Sequence, residues 1–284
     1  MCRYNPKIDL VFRKLFGSEE NKDILLSFIN GILEGETVIK DLTLKNPYNL
    51  SFYMSGKMTI LDIKAEDENG IWYDIEMQIS EQGFYGKRAL YYWSKVYSDQ
   101  IEKAEDFREL KKTIGIHLLD FKYFDDDRYI RNIVLKDMET DEIYPELNYE
   151  ELYFIEMSKF KKKYSEVKTV LDRWITFMNR AYELDKNNIP KELEDEVIKK
   201  AIDKLEVMYF NEQEREVYEA ERKIKMNRKE ELRTAEEKGI KEGKREGIRE
   251  EKIEIAKNLL KNNVDVQIII TSTGLNIEEI EKLK

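Results

Sequence analysis

Two short stretches between Thr59 and Ile79 alternate strictly between apolar and polar residues, and this pattern constrains the fold more than any other feature of the chain. A period of two residues is typical of a β-strand with one buried face. The tripeptide Glu68-Asn69-Gly70 separates the two stretches and places a glycine where a tight turn needs a positive φ. The sequence therefore predicts an antiparallel β-hairpin.

The register of this hairpin follows from its three-residue loop. The loop sets Asp67 opposite Ile71, and this pairing keeps both apolar sets on one face of the hairpin. The same register sets Asp62 opposite Glu76 on the polar face. Because the Cβ atoms of directly opposed residues lie roughly 5 Å apart, we expect these two carboxylates to lie side by side.

Two interpretations fit such a carboxylate pair. Facing carboxylates repel each other unless a cation lies between them, and Mg²⁺ takes one or two carboxylate ligands from proteins. A bound cation of this kind generates the hydroxide that phosphodiester hydrolysis needs, and Gln78 on the same face could donate a hydrogen bond to the water or the phosphate. The other interpretation is an ordinary solvated face, on which acidic residues are common.

Helical and strand patterns follow one another along the chain in the order αα, ββ, α, βββ. The additional elements are helices over 9–16, 23–33 and 84–103 and strands over 113–120, 130–136 and 152–157. From residue 167 the pattern is helical again. This order predicts an α/β fold with a mixed β-sheet flanked by helices and an α-helical C-terminal tail.

Charged residues make up 38% of the chain and concentrate in its last third. We therefore expect a core over 1–165, a helical extension packed on it over 166–210, a charged helical arm over 211–252 and a small helical module over 253–284. The last module is shorter than the ~40 residues that usually fold alone. We expect it to pair with a second copy and make a homodimer.

A helix-turn-helix interpretation of residues 264–284 is disfavoured on electrostatic grounds. Its last helix carries Glu278, Glu279 and Glu281, where a DNA reader needs hydrogen-bond donors to phosphates and bases. Asn276 is a plausible N-cap of that helix.

The net charge of −10 argues against binding of nucleic acid through bulk electrostatics. Any such binding must be local, and the candidates are Lys159–Lys163 with Arg13, Lys14, Lys87 and Arg88. A solubilising loop explains the 159–163 cluster equally well. His117, the one histidine, lies among apolar residues, where a packed or hydrogen-bonded core histidine is expected.

We predict a cytoplasmic protein that does not span a membrane. The chain has one cysteine, no apolar leader and no apolar run of ~20 residues.

Leu61-Asp-Ile-Lys-Ala65 followed by Tyr73-Asp-Ile-Glu-Met-Gln78 resembles the D-x(n)-(D/E)-x-K signature of PD-(D/E)XK nucleases. The E-x-Q form is similar to that of the recombination-promoting nuclease (Rpn) and transposase family. Further stretches that resemble this family are 9–16, 87–93, 152–159 and the glycine-spaced Glu/Lys tail. The resemblance spans nearly the whole chain. It depends on the order of these stretches along the sequence, because no single stretch is specific.

The resemblance implies a restriction-endonuclease-like core and a metal-dependent DNA endonuclease that acts on phosphodiester bonds. Asp62 and Glu76 would be the metal ligands, together with the backbone carbonyl of Met77. The implied ion is Mg²⁺, with Mn²⁺ or Ca²⁺ as substitutes, and the implied partner is DNA.

The chain departs from the superfamily pattern at Gln78, where most members have a lysine. Glutamine is neither a cation nor a base, so Lys64 or Arg88 would supply the missing positive charge. Asp9 resembles the acid of the superfamily's first helix, although an N-cap role explains it as well. The alternative function is a catalytically weak or inactive nuclease fold that acts as an interaction or regulatory module.

Overall fold

The computed structural model describes residues 4–35, 38–45, 63–80, 83–101 and 106–283. The chain divides into two compact units, Met1–Lys225 and Met226–Lys284. The division falls inside the segment predicted as a charged arm, and the four predicted domain boundaries remain predictions.

The first unit is built on a mixed β-sheet. In the described ranges its strands are β1 (Leu42–Leu44), β2 (Ile63–Asp67), β3 (Trp72–Gln78), β4 (Thr113–Leu119), β5 (Ile130–Val134) and β6 (Glu150–Glu156). Their order in the sheet is β1-β2-β3-β4-β6-β5. Strand β4 is parallel to both of its neighbours, β3 and β6. The pairs β1–β2, β2–β3 and β5–β6 are antiparallel. The predicted mixed sheet is confirmed. The three-residue β1 was not predicted.

The helices also follow the predicted order. They are α1 (Asp9–Phe16), α2 (Lys22–Ile32), α3 (Tyr85–Ser98), α4 (Val170–Arg180), α5 (Glu196–Val207), α6 (Glu212–Lys261), α7 (Val266–Thr273) and α8 (Ile277–Glu281). None of these helices is long and apolar enough to cross a lipid bilayer, within the ranges described.

The hairpin of β2 and β3 has the predicted register. Ile63 pairs with Ile75 and Lys64 with Asp74, and the backbone N–H of Asp67 donates to the carbonyl of Ile71 at 3.0 Å. Gly70 has a φ of 79°, a conformation that favours glycine. Asp62, the next residue outward from Ile63, lies outside the described residues.

The two faces of the sheet are covered differently. The apolar face of the hairpin joins one hydrophobic cluster with residues of α1, α2, α4 and α5, including Phe12, Phe28 and Trp174. The other face packs against α3, where Tyr85 and Ala89 meet Leu119, Leu152 and Phe154. The face that alternation marks as polar is therefore also covered by a helix.

The start of α6 belongs to the first unit. Its Glu214 and Tyr218 side chains are buried, and Lys14 Nζ contacts the Glu214 carboxylate at 2.7 Å. Lys225 Nζ lies 3.2 Å from the Asp120 carboxylate. Through these contacts the first turns of α6 pack against the core, although their sequence is highly charged.

The second unit has its own small core of Ala256, Ile269, Leu275 and Ile280. Asn276 caps α8, as predicted, because its side chain accepts a hydrogen bond from the Glu279 backbone N–H at 2.9 Å. Helices α7 and α8 lie in this unit, and the predicted module boundary at residue 253 stays a prediction.

Candidate active site

Two carboxylates of β3 are buried on the face that α3 covers. Asp74 is 0% exposed and Glu76 is 1% exposed. They lie two residues apart, so the pleat of the strand points both to the same side. The burial of Glu76 contradicts the interpretation of this face as solvated. The sequence could not reveal this burial, because alternation alone does not show that a helix covers the polar face.

Gln78 and Arg88 approach the Glu76 carboxylate from different elements. Gln78 Nε2 donates to Glu76 Oε2 at 3.2 Å, from two residues along the same strand. Arg88 Nη2 lies 4.0 Å from the same oxygen, and its guanidinium lies over the Tyr92 ring at 5.0 Å. The carboxylate therefore has an amide donor and a cation beside it.

Lys64 lies opposite Asp74 in the hairpin register. Its ammonium contacts the Asp99 carboxylate at 3.4 Å and lies 4.8 Å from the Trp72 ring centroid. Lys64 and Arg88, the two cations considered for the missing lysine, thus both border the polar face of the hairpin, and Arg88 Nη2 lies 4.0 Å from the Glu76 carboxylate.

His117 is a core histidine, as expected. It is opposite Glu76 in the register of β3 and β4, its Nδ1 lies 3.0 Å from the Tyr85 hydroxyl, and its ring stacks on Phe154 with centroids 5.0 Å apart. Burial, and secondly the charge of Arg88, lower the pKa of His117 to about 3. The imidazole is therefore neutral at physiological pH.

The donor chemistry of this strand fits a hard cation. Buried anions need a compensating charge, and carboxylate oxygens are the ligands that Mg²⁺ and Ca²⁺ prefer. The side chain of Met77 is buried in the core, so a ligand from this residue would be its backbone carbonyl oxygen. Among the described residues no group of three His, Cys, Asp or Glu side chains is close enough to hold a metal, and Asp62 lies outside that part of the chain.

Asp9 is not the N-cap of α1, so that interpretation is wrong. Ile8 occupies the cap position and makes no side-chain cap, while Asp9 is the first helical residue and accepts a hydrogen bond from Arg13 Nε at 3.0 Å. The residue that caps this end is Glu221 of α6, whose Oε2 accepts from the Leu10 backbone N–H at 3.3 Å.

Burial and the nearby Asp9 raise the pKa of Glu221 to about 7. Sequence reasoning missed this residue because more than two hundred positions separate it from Leu10.

Several of the predicted phosphate-contacting cations are paired with carboxylates of the protein. Lys159 is only 3% exposed at its side chain and pairs with Glu156 at 2.8 Å, and Lys162 pairs with Asp172 at 2.7 Å. Arg13 and Lys14 pair with Asp9 and Glu214. These ion pairs argue against a phosphate-contacting role for these four residues, whereas Lys161, Lys163 and Lys87 are exposed and their phosphate contacts stay a prediction.

Two family models match the chain. Residues 6–235 match the model described as PD-(D/E)XK nuclease family transposase. Residues 249–284 match that of the Rpn/YhgA-like nuclease family, C-terminal HTH domain, so the match favours the helix-turn-helix interpretation that the acidic last helix had disfavoured. No curated protein and no solved structure gives a significant match.

Proposed function

The chain belongs to the PD-(D/E)XK nuclease family of transposases, and we propose that it is a metal-dependent DNA endonuclease. DNA is the proposed partner, and Mg²⁺ the proposed ion, with Mn²⁺ or Ca²⁺ as substitutes. Cytoplasmic location remains the expectation drawn from the sequence.

One observation carries the proposal: Glu76 is a fully buried carboxylate at the position of the family signature, with Gln78 and Arg88 beside it. A buried carboxylate is costly without cationic or hydrogen-bonding partners. A buried carboxylate such as Glu76 therefore has a role that requires its negative charge. In this nuclease family that role is to bind a divalent cation.

Glu76, Asp62 and the backbone carbonyl of Met77 would hold the ion. A bound divalent cation supplies a nucleophilic hydroxide at neutral pH and neutralises charge on the phosphate. Gln78, through its hydrogen bond to Glu76 Oε2, fixes the orientation of that carboxylate.

Arg88 can offer its guanidinium to a phosphate oxygen, because donors that face developing charge stabilise the transition state. Neutral His117 takes no proton at physiological pH. It anchors α3 to the sheet through Tyr85 and so positions Arg88.

Nicking of supercoiled plasmid tests this proposal. Wild-type protein with Mg²⁺ or Mn²⁺ should convert the plasmid to the open-circular form, and EDTA should stop the reaction. Asp62→Ala should be inactive with either ion. A wild-type preparation that is folded and does not nick with either ion would contradict the proposal.

The alternative is an interaction or regulatory module on an inactive nuclease fold. It is favoured by Gln78, which cannot replace the cationic lysine of the superfamily, and by the net charge of −10. The same nicking assay separates the two functions.

We also propose that the C-terminal module pairs two copies of the chain. The module has a small core of Ala256, Ile269, Leu275 and Ile280, and a core of this size would gain stability from a partner surface.

A further inference from the structure

A stripe of aromatic and basic side chains runs along α3, in which Phe84, Lys87 and Tyr91 are exposed and Arg88 and Lys95 are half-buried. Phe84, Arg88, Tyr91 and Lys95 lie on one face of the helix at spacings of three and four residues, and Lys87 flanks them. Phe84 is 63% exposed and Tyr91 is 60% exposed. We call these five residues the α3 stripe.

The α3 stripe borders the candidate active site. Its Arg88 is the residue whose guanidinium lies 4.0 Å from Glu76. The same guanidinium lies over Tyr92, and the Tyr92 ring lies 5.7 Å from that of Tyr91. A ligand that occupied the stripe would therefore reach the carboxylate of β3 through Arg88.

We propose that the α3 stripe binds single-stranded nucleic acid beside the cleavage site, with unpaired bases stacked on Phe84 and Tyr91. This inference rests on the proposed endonuclease function. Exposed aromatic rings next to cations are the combination that single strands require, because bases offer π-faces and the backbone offers phosphates. In a duplex the bases are already stacked, so the two rings would have no partners.

The charge of the chain supports a single strand as the occupant. A net charge of −10 limits what phosphate neutralisation alone can contribute. The stripe has three cations, Lys87, Arg88 and Lys95, which suffice for a short length of backbone. Base stacking then supplies the larger share of the binding free energy, and it does so with little dependence on sequence.

The test measures binding without cleavage. Full-length wild type in EDTA is titrated against a short fluorescein-labelled DNA strand of mixed sequence and against the same strand annealed to its complement, and anisotropy is recorded. The variants are Tyr91→Ala and Phe84→Ala. Tyr182→Ala is the matched control, because Tyr182 is an exposed tyrosine, at 65%, that lies outside α3.

Each variant on α3 should weaken single-strand binding about 5- to 150-fold, the range of ~1–3 kcal/mol per stacked base. Duplex binding should change less than about twofold, and Tyr182→Ala should bind like wild type. Phe84 makes no side-chain cap on α3, so its replacement removes no helix cap, and thermal unfolding checks that each variant folds.

Three results would overturn the inference: no single-strand binding by wild type, unchanged binding by both variants, or an equal loss in the control. These outcomes are independent of nicking. If the protein nicks plasmid but gives one of these three results, the proposed endonuclease function stands and single-strand binding by the α3 stripe is rejected. If it binds single strands through Tyr91 but never nicks, the proposed endonuclease function is rejected.

Discussion

Arg88 Nη2 lies 4.0 Å from Glu76 Oε2, across the contact between α3 and β3. Gln78 occupies the position where most of the superfamily has a lysine and donates its amide to the same carboxylate. The positive charge beside Glu76 thus comes from a neighbouring helix, while the strand supplies a neutral donor.

We predict that Arg88→Ala lowers the nicking rate by about 10²- to 10³-fold, the cost of one transition-state donor. Arg88→Lys should retain part of the rate, because it keeps the charge without the planar fork. Lys64→Ala should cost less than about tenfold, since Lys64 contacts Asp99. Single-turnover rates check this, and a larger loss for Lys64→Ala than for Arg88→Ala would reverse the assignment.

Gln78→Ala should lower the rate by roughly 10²-fold, because it removes one hydrogen bond from the reacting centre. Gln78→Lys should be tolerated, since it restores the superfamily residue. The measurement is the metal-dependent nicking rate with equal amounts of folded protein. Unchanged turnover in Gln78→Ala would show that the residue is only structural.

The hairpin was predictable in detail because its signals are local. Alternation gave the strands, and the loop Glu68-Asn69-Gly70 gave the pairing of Lys64 with Asp74. The burial of Glu76 was not predictable, because it depends on α3 packing over the polar face. Alternation reports that a face is polar, and only tertiary structure reports what covers it.

The fate of the basic residues shows the same limit. Lys162 is neutralised by Asp172 of α4, and Lys14 by Glu214 of α6. The Lys14 partner lies two hundred positions away in the chain, so the cluster is visible in the sequence and its partners are not. A similarly large separation explains why the sequence did not predict Glu221 of α6 as the partner of the Leu10 N–H at the start of α1.

Stability should fall as the pH rises from about 4.5 to about 7, through Glu221. Its folded-state pKa is raised to about 7 from an ordinary value of 4.5, mainly by burial. The folded state therefore binds more protons than the unfolded state within this window, and the contribution of the protonated form is lost as the pH rises through the folded pKa.

Glu221→Gln should flatten that dependence and raise the free energy of unfolding above pH 7, because glutamine still accepts the Leu10 N–H without a buried charge. Urea unfolding across the pH range checks this. Glu216→Gln is the matched control, since Glu216 is an exposed residue of the same helix. Parallel curves for Glu221→Gln and wild type would contradict the assignment.

Self-association should depend on residues 253–284. A chain that ends at Lys252 keeps the contacts of Glu214, Tyr218 and Lys225 with the first unit, so it should fold. Light scattering should then report a monomer for this chain and a dimer for the full-length protein. The same subunit count in both would show that the C-terminal module is not the assembly element.

If Glu76 holds the catalytic cation, the plasmid-nicking rate in Mg²⁺ should depend on its carboxylate, and Glu76→Gln is the variant that measures this dependence. The control is Glu66→Gln, because Glu66 lies on the same face of the hairpin and pairs with Lys45 away from the site. Glu76→Gln should be inactive but folded, because glutamine keeps the size of the side chain and its carbonyl oxygen still accepts a hydrogen bond from Gln78. Glu66→Gln should nick at the wild-type rate. Full activity in folded Glu76→Gln would contradict the metal-site account.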